Sequence, residues 1–118
     1  MKFVKIIKSE EEFTEEQKQA YLAEEQEANQ LASEYGYKAR ISYDFKNKEL
    51  FKIVLESSGE KLKPAIYVEI KSFTGESEVS IQTTSYGSLE LKDYADFARN
   101  VQIAYSCANA FEKKYLNK

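Results

Sequence analysis

The chain has 118 residues, 42% apolar and 31% charged, the balance of a folded core and not of a disordered tail. Its net charge is −3, and it holds one cysteine, no histidine and no tryptophan. A lone cysteine excludes an intrachain disulfide, and the missing histidine removes the commonest general base near neutral pH and the commonest nitrogen ligand of zinc.

The N-terminal run Phe3-Val4-Lys5-Ile6-Ile7 is too short and too interrupted by lysine for a signal peptide or a membrane span. It reads either as a short strand that adds to a sheet edge or as a loose arm, within residues 1–13. The expectation is a cytoplasmic protein whose residues 1–118 form a single domain.

From Thr14 to Tyr35 the spacing predicts a helix. Thr14 with Gln17 fits a capping box, as does Ser9 with Glu12 one turn earlier. Gly36 follows where a helix C-terminal glycine belongs. Tyr21, Ala28, Leu31, Ala32 and Tyr35 recur at helical spacing as a narrow buried stripe, and Glu15, Glu16, Glu24, Glu25 and Glu27 fill the rest.

The middle of the chain has a period of two. Tyr37, Ala39, Ile41, Tyr43 and Phe45 alternate with Lys38, Arg40, Ser42 and Asp44, the mark of a strand with one buried face. Leu50 to Glu56 is the next strand, with Phe51, Ile53 and Leu55 on one side. Ala65 to Phe73 is a third, with Ile66, Val68 and Ile70 inward and Pro64 just before it. Val79, Ile81 and Thr83 mark a fourth. The short polar connections between them predict an antiparallel meander. After the break at Tyr86-Gly87-Ser88, Leu91 to Tyr115 reads as a long amphipathic helix packed on the sheet. Leu91, Tyr94, Ala98, Val101, Tyr105, Ala108 and Tyr115 mark its buried face, widened by Phe97, Ala104 and Phe111. The predicted class is α+β.

This order, acidic helix, sheet, helix, resembles the layout of frataxin-type and secretion-chaperone-type folds. Frataxin-like sequences usually carry a tryptophan on the sheet, which this sheet lacks, so the likeness implies no iron handling. The composition, rich in Lys, Glu, Asn and Tyr, is similar to that of small accessory proteins of phages and mobile elements in low-GC bacteria.

Charge is unevenly spread. Residues 1–35 carry four Lys and nine Glu, net −5, and residues 36–73 carry eight basic and five acidic groups, net +3. Two binding modes follow. Glu16, Glu24, Glu25 and Glu27 of the first helix offer an acidic surface to a basic protein partner, much as a nucleic-acid backbone would. Alternatively, Lys38, Arg40, Lys52 and Lys71 on the outer sheet face meet nucleic acid or a small anionic ligand. Against both stands an ordinary solvated surface, since lysine on a strand and glutamate on a helix are common there.

Catalytic candidates are few. Cys107 is the only thiol, it has no histidine to activate it, and burial in a helix raises a thiol pKa. Neighbouring glutamates on one exposed helix face do not make the opposed carboxylates that glycosidase chemistry needs. No acidic run has the glycine of a calcium loop, and one glycine at Tyr86-Gly87-Ser88 does not make a phosphate loop. The expected function is therefore non-catalytic protein binding without cofactor or metal. Its form would be an accessory or inhibitor protein of a phage or mobile element acting on a host nucleic-acid-handling protein. Whether the chain is a monomer or a homodimer is open.

Overall fold

Thr14 opens the first helix with both bonds of a capping box. Its hydroxyl accepts from the Gln17 N–H at 3.1 Å, and the Gln17 side chain accepts from the Thr14 N–H at 2.9 Å. The computed structural model describes residues 14–47, 49–57, 62–70, 76–82 and 88–116. The Phe3–Ile7 run, the Ser9–Glu12 box, Lys71, Phe73, Thr83, Tyr86 and Gly87 lie outside the described residues.

Helix α1 (Glu15–Ser33) ends at Gly36, whose φ of 78° is the left-handed conformation that closes a helix. There the Tyr37 N–H reaches back to the Ala32 carbonyl at 3.0 Å. The buried Lys63 ammonium donates to the Tyr35 carbonyl at 2.7 Å and lies 4.8 Å from the Tyr37 ring centroid. The positive φ favours glycine here, and a Cβ would fall 2.5 Å from that ammonium, so the Lys63 tip would also have to shift.

Four strands follow, β1 (Lys38–Asp44), β2 (Glu49–Glu56), β3 (Ala65–Glu69) and β4 (Glu78–Gln82). They pair in sequence order, each antiparallel to the last, as the meander predicts. A final helical run begins with a 3-10 turn (Leu91–Asp93), continues as α2 (Tyr94–Phe111) and closes with a π turn (Glu112–Leu116). The fold is α+β, with both helices on one face of the sheet. Ala28 and Ala32 of α1 and Ala104, Cys107, Ala108 and Phe111 of α2 bury against Ile53, Leu55, Ile66 and Val68 in one cluster. No helix among the described residues is long and apolar enough to cross a membrane.

Two details depart from the sequence pattern. Between Ser42 and Tyr43 the register shifts, so Tyr43 pairs with Leu50 while Ser42 pairs with Lys52. Phe51 is the extra residue of this bulge. It stands 36% exposed and Leu50 takes the inward position, because one inserted residue reverses the facing of all that precede it in the strand. The second departure concerns α2. Leu91, Tyr94, Ala98 and Tyr105, read from sequence as buried, face solvent, whereas Ala104, Ala108 and Phe111 of the predicted face are buried, joined by Cys107.

Candidate functional site

The carboxylates of α1 do not form one free surface. Glu27 accepts from Lys114 at 3.2 Å, a bridge from α1 to the C-terminal π turn. The Tyr21 hydroxyl reaches Glu25 at 3.4 Å. Glu24 is half-buried beside Tyr115, whose ionisation is opposed first by burial and then by the charges of Glu27 and Glu24, pushing its pKa up to about 12. Like the Lys114-paired Glu27, Glu16, in the first turn, is exposed. There it also complements the positive end of the helix dipole.

The basic set is likewise dispersed. Lys38, Arg40 and Lys52 do lie on the outer sheet face, but the register interleaves them with acids. Lys38 stands opposite Glu56, and Lys52 opposite Glu69, which itself stands opposite Glu78. The Arg40 guanidinium pairs with Glu56 at 3.1 Å, and the Lys52 ammonium lies 6.0 Å from the Tyr67 ring centroid. This face alternates in sign.

One cleft unites members of both sets. Glu25 and Asn29 of α1, Lys38, Ala39 and Arg40 of β1, and Glu56 and Ser57 line a hollow of about 520 Å³ at the β1 edge. Its two acids and two bases balance, and Asn29 closes its floor with two bonds to the Ala39 backbone, at 2.8 and 3.1 Å.

The feature missing from the sequence reading is the outward row of α2. Leu91 is 87% exposed, Tyr94 52% and Tyr105 61%, with Ala98 exposed between them. The spacing of three, four and seven residues puts them on one helix face. Lys92 and Glu90 pair at 3.7 Å, and Asp96 and Arg99 at 2.7 Å, so the nearby charges are matched among themselves beside the row. Near Tyr105 the row meets a groove of about 310 Å³ between α2 and β4, lined by Val79, Ile81, Tyr105, Ala108, Asn109 and Glu112. A comparison of lengths was the available signal. The helical run from Leu91 to Leu116 is about 39 Å long, against about 17 Å for a five-residue strand, so a short strand does not cover its whole length.

Cys107 is fully buried, and burial pushes its thiol up to about 12, against a smaller opposing effect of the Lys63 charge. At neutral pH it is a small apolar side chain. Among the described residues no group of three or more Asp, Glu or Cys side chains is arranged to hold a metal ion. Compared with protein-family models, with curated proteins and with solved structures, the chain matches none of them.

Proposed function

We propose that this chain is a non-catalytic protein-binding domain that meets its partner on the outward row of α2. The observation that carries the reading is the exposure of Leu91, Tyr94 and Tyr105 at helical spacing on the last helical run. Apolar surface scattered singly is ordinary, but an aligned row that includes two tyrosines has the composition of a contact core. The protonated, buried Cys107 supports the non-catalytic part of the reading.

The narrower form of the proposal is an accessory or inhibitor protein acting on a host nucleic-acid-handling protein. Its support is compositional, together with the exposure of Glu16 in the first turn of α1. Reversing Glu24, Glu25 and Glu27 together would also disturb the Lys114 and Tyr21 contacts, so Glu16→Lys is the cleaner probe. Binding of anions by Lys38, Arg40 and Lys52 draws no support from a face of alternating sign.

A photo-crosslinking amino acid placed at Tyr94 tests the reading in cells. A protein adduct at Tyr94, absent when the probe sits at Glu16 or when Leu91 is changed to Glu, is the expected result. Adducts equal at both positions and indifferent to Leu91→Glu would overturn it.

A further inference from the structure

Four residues of α1 recur at spacing four, Gln17, Tyr21, Glu25 and Asn29, and each meets β1 or the residue that follows it. The Asn29 amide accepts from the Ala39 N–H at 2.8 Å and donates to the Ala39 carbonyl at 3.1 Å. A residue in a hydrogen-bonded antiparallel pair exchanges the same two bonds with its opposite. The Gln17 amide donates to the Phe45 carbonyl at 3.2 Å. Between these two, the Tyr21 ring centroid lies 5.8 Å from that of Phe45 and 6.4 Å from that of Tyr43. Glu25 lines the cleft beside Ala39 and Arg40.

The row also fits the strand in length and direction. Gln17 and Asn29 are twelve residues apart on the helix, about 18 Å. Ala39 and Phe45 are six apart along the strand and its first turn residue, about 20 Å. Gln17 meets the end of β1 and Asn29 its start, so helix and strand lie antiparallel with their ends matched. Each amide is also tied to α1 itself, Asn29 to the Glu25 carbonyl at 3.1 Å and Gln17 to the Thr14 N–H at 2.9 Å. Those bonds hold both side chains toward the strand.

We infer that this row is an edge guard. α1 takes the place that a further strand would occupy beside β1, and its two amides hold backbone groups that would otherwise pair between copies of the chain. β1 is the outer strand among the described residues, and an open strand edge is a template for such pairing. The other devices that blunt an edge are weak here. β1 has no proline, and its Arg40 is already paired with Glu56. Asp44 accepts from the Lys46 and Asn47 N–H groups, so its carboxylate is held by its own turn. Ile41, Tyr43 and Phe45 are strand formers, and a short segment of that kind with low net charge pairs readily once its backbone is uncovered.

The test compares the Gln17→Ala, Asn29→Ala double variant with a core control, Ile66→Val or Ile66→Ala, whichever matches it in urea midpoint. At equal concentration under agitation, the double variant should form sedimenting, thioflavin-positive assemblies at least tenfold faster than the control. Asn29→Ala alone takes its place if the double variant does not fold. Hydrogen exchange reads the edge directly in Asn29→Ala. Its Ala39 amide should exchange at least tenfold faster than in the wild type, while the Arg40 amide, directed at β2, stays in step with the rest of the sheet.

Equal assembly rates in the variant and the matched control would overturn the inference, because lost stability alone would then account for the pairing. An Ala39 amide as protected in Asn29→Ala as in the wild type would overturn it as well, since another group would then be closing the edge.

Discussion

Asn29 belongs to α1, yet its amide is bonded into the sheet. Its carbonyl accepts from the Ala39 N–H at 2.8 Å, and its NH2 donates to the Ala39 carbonyl at 3.1 Å and to the Glu25 carbonyl at 3.1 Å. β1 is at the edge of the sheet among the described residues, and Ala39 is almost fully buried, so these backbone groups have little access to water. Replacing the amide with a methyl strands a donor and an acceptor together. Asn29→Ala should therefore cost about 1–3 kcal/mol in urea unfolding, more than an exposed helical Asn→Ala change, which is near neutral. Nothing in the sequence distinguishes Asn29 from a surface residue, because the bond spans two elements whose relative placement only the fold supplies. Tyr115 shows the converse case. Its hydroxyl is buried without a hydrogen-bond partner among the described residues, and burial with the Glu27 and Glu24 charges raises its pKa from the ordinary 10.0 to about 12. Between those values the folded chain keeps a proton that the unfolded chain has lost. Stability therefore falls as pH rises from 10 toward 12. Tyr115→Phe should be at least as stable as wild type at pH 7 and should show a flatter pH dependence above 10, read from urea midpoints across that window.

At the scale of elements, alternation and capping are local chemistry, and they are where the sequence speaks most directly. The Thr14–Gln17 box, the left-handed Gly36 and the inward Ile53, Leu55, Ile66 and Val68 all follow from residue type at fixed spacing. The bulge in β2 does not. Phe51 has the stronger apolar character and the right parity with Ile53, and only the pairing of Tyr43 with Leu50 reveals the inserted residue. The distinction has a measurable consequence. Leu50→Ala should cost about 2–5 kcal/mol, as truncation of a buried leucine does. Phe51→Ser should cost less than that, since Phe51 keeps 36% of its surface in water and leaves no enclosed cavity, whereas Leu50 keeps 8%. Equal losses at the two positions in chemical unfolding would contradict the register shift. The same reasoning explains the outer face. Lys38, Arg40 and Lys52 read as a basic stripe because they are counted along their own strands. Pairing brings Glu56, Glu69 and Glu78 onto the same surface from neighbouring strands.

Across the whole molecule, full burial divides the last helix unevenly. Its buried residues, Ala104, Cys107, Ala108 and Phe111, all lie in the second half of α2, and the turns before them hold only partly buried and exposed side chains. Local terms hold those turns helical. Ala95 and Ala98 have high helix propensity, Asp96 complements the dipole in the first turn, and the Asp96–Arg99 pair adds an i,i+3 contact. Such terms supply a few tenths of a kcal/mol each, far below what burial supplies at Phe111. An isolated helix of this length is marginal in water, so these first turns should open without the rest of the domain. Hydrogen exchange on the dilute protein should show amides from Phe97 to Val101 exchanging at least tenfold faster than those from Ala104 to Phe111. Uniform protection along the helix would mean that its first turns are held by more than local helix terms and the partly buried Phe97, Val101 and Ile103.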